Sequence, residues 1–415
     1  MGRKGPLDAE RLEDAGCRCD PAGYGKGDVP HTQRALAVLG LLACAASFGV
    51  LAYTSCTFVQ AAAAGAAGPA SALIFVALVA SSVASGALFA LLAARLLAGK
   101  CLHAERLAWV LAVLAVLQAV VTLMLYGLTP RHLGFLVQFV VAAATASYFD
   151  PLLAHERARW RARKREKADS GTEGPRAGGA EGDGASPGGG RGRRGFVKLN
   201  FFNLFWVFVV CSVAGLAVET AYHFLVVQPG HYQDRAGLLF GPFSPIYGFG
   251  AVLMTVALNR FHDRSVILIF LVSAVIGGAF EFAVSWIMQF AFGLVAWDYS
   301  GTFLSIDGRT NGMFMAMWGV LGVLWVKLFL PLVLRLVRLI PWRWRYGATA
   351  VCAALLLVDG IMTVQAVDCW YEREAGRPAD TPIERFYAEH FDDAYMQSRF
   401  QSMSMNVGDA ARVDR

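Results

Sequence analysis

Residues 265–292 read SVILIFLVSAVIGGAFEFAVSWIMQFAF, and Glu281 is the one charged side chain among them. An apolar run of this length exceeds the roughly 20 residues that an α-helix needs to cross the hydrocarbon core of a bilayer. Similar blocks recur along the 415-residue chain, which is 56% hydrophobic and 16% charged. About a quarter of the residues are charged in an ordinary soluble domain. The sequence therefore predicts an all-α, polytopic transmembrane helical bundle.

The hydropathy pattern predicts nine spans, and the 34 largely polar residues before the first of them argue against a cleaved secretory signal. The predicted spans are Ala35–Phe58, Ala70–Ala94, Leu107–Leu128, Leu133–Leu153, Phe201–Val227, Ser244–Leu258, Ser265–Phe292, Met313–Leu334 and Ala348–Val367. The sixth span is short and follows a stretch that contains Gly and Pro. A re-entrant segment is therefore the alternative to a short crossing at this position.

The distribution of basic residues predicts the orientation of the chain. With nine crossings and the N-terminus inside, 27 Lys and Arg residues fall in the N-terminal tail and the inner loops, and only Arg131, Arg235 and Arg309 fall in the outer loops. This asymmetry satisfies the positive-inside rule. A re-entrant sixth segment would move six arginines outside, so we prefer nine crossings, with the C-terminus outside, in a multi-pass protein of the plasma membrane.

Composition divides the chain into six regions. A stretch rich in Gly, Ser, Pro and Ala follows a basic run between the fourth and fifth spans, which is typical of a flexible linker. The regions are a cytoplasmic polar tail (1–34), an N-terminal four-helix membrane region (35–154), a basic Gly-rich cytoplasmic linker (155–199), a four-span core (200–341), a last transmembrane helix (342–367) and an acidic extracytoplasmic tail (368–415). The eight cysteines define no disulfide framework.

The core region carries a series of motifs. Residues 241–250 read GPFSPIYGFG, and they are followed by Glu281, WDYS at 297–300, Gly308-Arg309 and Trp318-Gly319. In this order the motifs resemble the family described as putative ABC-transporter permease, type IV. The resemblance implies a transport permease subunit. It also implies a separate nucleotide-binding subunit as a partner, because the chain has no G-x-x-x-x-G-K-[ST] motif with which to bind ATP.

Ionisable side chains inside spans suggest a functional site. A charged residue at the centre of a span costs roughly 2.5 to 3.5 kcal/mol on insertion scales, so Glu219 and Glu281 are expected to face protein or a wet cavity. In the nine-crossing arrangement both lie near the outer loops. We predict an outward-facing polar vestibule that binds a substrate or a proton, lined by Glu219, Tyr247, Glu281, Trp297, Asp298 and Arg309. The alternative is a structural network of buried ion pairs that fixes helix packing.

The glycine-proline run predicts a broken helix whose free backbone groups face protein or a cavity. A helix that starts there would direct its amides towards the vestibule, where they would favour an anion. A tight turn that simply starts the helix is the alternative, and glycines also permit close helix packing. The residues assigned to this structural motif are Gly241, Pro242, Pro245, Gly248, Gly250, Trp318 and Gly319.

Enzyme motifs give no support for catalysis. H-E-x-x-H does not occur, G-x-S-x-G occurs only as GASPG at 184–188 within the predicted linker, and Glu219, His223 and His231 are too scattered to predict a metal site. We predict no catalytic activity, cofactor or metal, membrane lipids as partners, and no nucleic acid; a homo-oligomer remains compatible with the sequence. Two alternatives to transport stay open. These are a non-transporting membrane scaffold or sensor, and an intramembrane enzyme with Glu219, Glu281 or Asp298 as acid-base groups on lipid-linked substrates.

Overall fold

The computed structural model describes residues 31–99, 103–149 and 201–413. Most of the N-terminal tail and the whole of the predicted linker, residues 155–199, lie outside the described residues. The chain forms two compact units. Of the described residues, 31–99, 103–149 and 411–413 belong to the first, called here the N-terminal unit, and 201–410 belong to the second, called here the core unit.

The N-terminal unit consists of long, regular helices joined by short connections. They are α1 (His31–Ala63), α2 (Pro69–Leu97), α3 (Ala104–Tyr126) and α4 (His132–Phe149). Small and aliphatic side chains such as Ala108, Leu111 and Ala142 form the buried centre of this unit. The end of the chain packs against the same unit, because Ser71 Oγ donates a hydrogen bond to the Ala411 carbonyl (3.1 Å) and the Val413 amide donates to the Leu125 carbonyl (2.9 Å).

The core unit is less regular. Its helices up to residue 374 are α5 (Phe201–Tyr222), α6 (Pro245–Leu258), α7 (Val266–Phe292), α8 (Gly312–Leu324), α9 (Leu330–Arg338) and α10 (Trp342–Glu374). A π-helical turn, His223–Val227, extends α5, and a second, Trp325–Phe329, joins α8 to α9. Such turns are frequent at functional sites. The one β-pairing between named strands in the described chain is antiparallel, between β1 (Leu294–Val295) and β2 (Ser404–Met405).

The all-α membrane architecture predicted from hydropathy is confirmed. Eight helices within the described ranges are long and apolar enough to cross a membrane, with α8, the π-helical turn and α9 counted as one helix. The ninth apolar segment, α6, has 14 residues. It begins at Pro245, one residue after the predicted start, because the proline ring favours the first helical position and Ser244 is extended.

Glycines and one tryptophan set the spacing of helices in the core unit. The Trp318 ring packs directly against Gly277 of α7 and lies close to Gly250 of α6, and the Phe270 ring covers Gly319. A Cβ atom at any of these glycines would crowd the ring, so small residues are needed for the helices to approach this closely. Trp318, Gly250 and Gly319, which the sequence assigned to a structural motif, therefore lie in helix–helix contacts.

Residues 375–410 fold back onto the core unit rather than extending from it. They contain α11 (Pro382–His390), α12 (Asp393–Arg399) and β2. A capping box of Thr381 and Glu384 starts α11, and Asp392 caps α12. Arg373 of α10 forms an ion pair with Asp393 (2.7 Å), which holds this C-terminal segment against the end of the last spanning helix.

Candidate functional site

The connection between α5 and α6 runs deep beside the helices of the core unit. The Ser244 amide donates a hydrogen bond to the Ser212 carbonyl (3.1 Å), and the Phe240 amide donates to the Asp359 carboxylate (3.2 Å). Ser212 and Asp359 each lie 15 residues before the end of their helical segments, at Val227 and Glu374. Fifteen helical residues span about 22 Å. Irregular backbone therefore reaches the middle level of two spanning helices.

Side chains from distant parts of the chain provide the hydrogen bonds that this connection lacks. Thr363 Oγ1 accepts from the Leu239 amide (2.9 Å). The Arg399 guanidinium donates to the carbonyls of Leu238 (2.9 Å) and Gly241 (2.7 Å), and it pairs with the Asp234 carboxylate (2.7 Å). Non-helical backbone at membrane depth is stable only when protein or water satisfies it. Arg399, Thr363 and Asp359 serve this purpose for residues 237–244.

Two glycines of the motif have strict geometric requirements. Gly241 has a φ of +68°, a left-handed conformation that side chains rarely adopt, and it permits the turn before Pro242. At Gly248 an added Cβ would lie only 2.7 Å from the Phe208 carbonyl of α5. The backbones of α5 and α6 therefore touch at Gly248, which fixes the start of the short helix.

Glu219 lies near the end of α5 and is already paired with a cation. Arg235 Nη1 is 2.7 Å from its Oε1 atom, and both side chains are about one quarter exposed. The same carboxylate accepts a hydrogen bond from the Tyr247 hydroxyl. Tyr247 projects from the first turn of α6, where Gly215 leaves room for its ring. The predicted site residues Glu219 and Tyr247 are thus brought together, with Arg235 as their partner.

Glu281 in the middle of α7 has a different environment. The Tyr299 hydroxyl donates to its Oε1 atom (3.0 Å) and Thr310 Oγ1 donates to its Oε2 atom (2.9 Å). The Trp318 indole is a third neutral donor. Glu281 is 7% exposed, and no Lys or Arg of the described chain forms a salt bridge with it. Its carboxylate is therefore buried among neutral groups.

Residues 296–311 form the loop that carries two of these donors, Tyr299 and Thr310. Trp297 Nε1 donates to the Arg309 carbonyl (2.9 Å), and the Tyr299 amide donates to the Gly308 carbonyl (2.7 Å). The Tyr299 ring stacks on Phe314 at 4.4 Å. Burial raises the pKa of the Tyr299 hydroxyl, and the neighbouring Glu281 carboxylate raises it further. Tyr299 therefore stays protonated and acts as a hydrogen-bond donor to Glu281.

The two remaining charged residues of the predicted site have partners within this loop. Arg309 is 8% exposed, and its Nε atom bonds to Asp307 (2.8 Å) rather than to Glu219 or Glu281. Its guanidinium also lies over the rings of Phe282 and Phe290. Asp298 accepts a hydrogen bond from the Ser300 amide (2.8 Å), and the Ser300 hydroxyl and amide hold the pKa of Asp298 below its usual range.

The structure therefore gives each carboxylate a tyrosine partner. Tyr247 contacts Glu219, Tyr299 contacts Glu281, and Tyr247 lies within electrostatic range of Tyr299. These four residues are named here the acid–tyrosine cluster. Three of them were predicted from the sequence, whereas Tyr299 was not predicted as a partner of Glu281, although it lies within the WDYS element. Thr310 was not predicted either, because nothing in the sequence distinguishes a threonine that donates to a carboxylate from an ordinary loop threonine.

A cavity of about 410 Å³ lies elsewhere on the core unit. It follows one face of α5, and apolar side chains dominate its wall. The lining residues are Val213, Leu216, Ala217, Thr220, Ala221, Phe224, Tyr232 and Pro242. Neither carboxylate of the acid–tyrosine cluster lines it. In the described parts of the chain, no group of three His, Cys, Asp or Glu side chains is placed to hold a metal ion.

Comparison with known proteins gives one result. Residues 206–364 match the family model described as putative ABC-transporter type IV. This match confirms the resemblance predicted from the motifs. It begins at Trp206 within α5 and ends at Val364 within α10. No curated protein and no solved structure gives a significant match.

Proposed function

We propose that the core unit is the membrane-embedded permease of a transporter, and that Glu281 binds a proton or a cationic group of the substrate. The environment of this carboxylate carries the proposal. Glu281 is buried and bonded to neutral donors, while the nearest loop cation, Arg309, is bonded to Asp307. A carboxylate removed from water without a cation is unfavourable. Such a site favours a protonated acid or an incoming positive charge.

The rest of the acid–tyrosine cluster supports movement of that charge. A tyrosine hydroxyl both donates and accepts hydrogen bonds, so Tyr299 at Glu281 and Tyr247 at Glu219 each offer a hydroxyl group that can pass on a proton. At Glu219 the cation Arg235 already neutralises the carboxylate. We assign substrate or proton contact to Glu219, Tyr247 and Glu281. Trp297, Asp298 and Arg309 position the loop above them.

The same proposal includes nine crossings. In the N-terminal unit the chain end bonds to Ser71 and Leu125, beside the connections at 64–68 and 127–131. Those connections lie at the opposite end of α1 from His31. This placement supports an odd number of crossings between His31 and Ala411. Eight long helices account for an even number, which supports α6 as the ninth crossing.

The asymmetry of basic residues supports an N-terminus inside and a vestibule that opens outward. The sequence contains no P-loop, so ATP-driven transport would require a separate nucleotide-binding subunit. The match to an ABC-transporter family supports that dependence.

The state of Glu281 can be tested with dicyclohexylcarbodiimide, a hydrophobic reagent that reacts with protonated carboxyl groups. In the purified full-length protein we expect Glu281 to be labelled at acidic pH, with labelling that falls as the pH rises. Glu219, paired with Arg235, is the internal control and should remain unlabelled. Mass spectrometry of peptides identifies the adduct. Equal labelling of both glutamates, or labelling of neither, would contradict the proposed role of Glu281.

Transport itself needs a second experiment. The tagged chain is purified from native membranes in mild detergent, co-purifying chains are identified, and ATP hydrolysis is measured. We expect a stoichiometric nucleotide-binding subunit whose ATPase activity is lost with Glu281→Gln. Asp263→Asn is the matched control, because the side chain of Asp263, in the connection between α6 and α7, is 96% exposed. If folded, monodisperse protein carries no such subunit, an ABC mechanism is wrong. The carbodiimide result then decides between proton-coupled transport and a non-transporting scaffold.

A further inference from the structure

Four polar side chains are buried inside the apolar helices of the N-terminal unit. Ser85 of α2, Gln118 and Thr122 of α3, and Gln138 of α4 each have an exposed fraction of 0%. They interrupt helices whose windows have mean hydropathies between 1.4 and 2.4. Apolar residues would cross the membrane more favourably at these positions. Their polar atoms therefore need an explanation from the contacts around them.

These side chains lie at a common level. The helix α3 packs against both α2 and α4. Counted along the helices from the ends that follow one another in the chain, the four residues lie within about two helical turns of one another. Gln118 and Thr122 are four residues apart and share a helix face. Ser85 Oγ donates to Gln138 Oε1 at 3.3 Å, which joins α2 directly to α4.

Most other buried hydroxyls of this unit satisfy themselves. Ser47, Thr54 and Thr145 each donate to a carbonyl one turn earlier in their own helix, at 2.7 to 2.8 Å. The cluster at the common level differs. Gln118 Nε2 and Oε1, Thr122 Oγ1 and Gln138 Nε2 are buried and have no hydrogen-bond partner among the described residues. A buried polar atom left unpaired costs roughly 1 to 3 kcal/mol, so four together are unfavourable.

We propose that Ser85, Gln118, Thr122 and Gln138 form a second membrane-embedded binding site, for a small uncharged hydrogen-bonding molecule, water in the first instance. The four open atoms include both donors and an acceptor, and a buried water makes about 2 to 4 hydrogen bonds. No Asp, Glu, Lys or Arg occurs in residues 35–94, 107–130 or 132–149. The site therefore offers no charge to select an ion, in contrast to the acid–tyrosine cluster.

The test uses the full-length protein in lipid nanodiscs and ¹⁸O-labelled water. X-ray radiolysis converts bound water to hydroxyl radicals, which label adjacent side chains. Leu125 is the reporter, because it is fully buried and lies one turn from Thr122 on the same helix face. Leu111, equally buried and two turns from Gln118 on the other side, is the control. We expect ¹⁸O at Leu125 and none at Leu111.

A variant completes the test. Gln118→Met keeps the length of the side chain and removes its hydrogen-bonding atoms. If the site binds water, this variant loses the label at Leu125 and unfolds at a lower temperature than the wild type. Absence of label at Leu125 in the wild type would overturn the proposal, as would a Gln118→Met protein that is more stable and labelled as before. Thr145→Val, which removes a hydroxyl bonded within its own helix, controls for the loss of polarity as such.

Discussion

The two units of this protein bury polar groups in opposite ways. In the N-terminal unit the helices are regular, the buried polar groups at the middle level are neutral, and several of their atoms have no protein partner in the described chain. In the core unit the backbone is interrupted by π-helical turns and a deep loop, and its buried charges are held by named donors. The comparison indicates that irregular backbone in a membrane depends on polar side chains supplied from elsewhere in the sequence.

The largest expected effect comes from removing the side chain that holds the deep loop. Arg399→Ala leaves the Asp234 carboxylate and the carbonyls of Leu238 and Gly241 without their donor. We expect a loss of about 3 kcal/mol in the free energy of unfolding, because breaking a largely buried pair leaves uncompensated groups. Unfolding in a denaturing-detergent titration measures it. Arg385→Ala, at an exposed site in the same C-terminal segment, should change stability by less than about 0.5 kcal/mol.

A smaller effect is expected where α5 and α6 touch. Gly248→Ala places a methyl group against the Phe208 carbonyl, which is backbone and cannot rotate away. Overpacking of this kind costs about 1 to 3 kcal/mol. Gly49→Ala in α1 is the matched control, because nothing lies within 4 Å of the added Cβ. Equal melting temperatures for the two variants would contradict close contact of the backbones in the core unit.

The smallest expected effect concerns Tyr299 and depends on pH. The pKa of Tyr299 in the folded protein is raised above the unfolded value of about 10. The stability that Tyr299 contributes is therefore complete below about pH 10, and it is lost as the pH rises from there through the pKa of the folded state. Tyr299→Phe should cost about 1 kcal/mol at neutral pH through the lost hydrogen bond to Glu281. It should also flatten the fall in stability above about pH 10. Melting curves across this range, compared with Tyr232→Phe at an exposed tyrosine, check both expectations.

Local properties of the sequence were sufficient to predict the apolar helices. Each apolar block corresponds to a helix, because hydropathy depends on neighbouring residues alone. The last helix shows where this fails: it continues to Glu374, seven residues beyond the predicted end at Val367. Residues 368–415 were predicted to form an acidic tail, yet Glu372 pairs with Arg377 and Arg373 pairs with Asp393. Their helix is stabilised by contacts that hydropathy does not report.

The candidate site was less predictable for the same reason. A glutamate in a span is visible in the sequence, so Glu219 and Glu281 could be selected. The partners that give the two glutamates different environments could not be predicted from the sequence. Arg309 was a reasonable partner for either glutamate by charge, but it bonds to Asp307 two residues away. Arg399 reaches Asp234 across 165 positions. No periodicity links such positions, and only the fold brings them together.

The dependence of residues 237–244 on Asp359, Thr363 and Arg399 has a consequence for biosynthesis. The ribosome makes the loop more than a hundred residues before it makes these partners. During that interval the loop must remain at the membrane surface, be shielded by the insertion machinery, or enter with its polar groups hydrated. The short helix α6 can therefore reach its final depth only after the last helix and the C-terminal segment have been synthesised. A chain truncated before residue 399 should be degraded as an insertion intermediate.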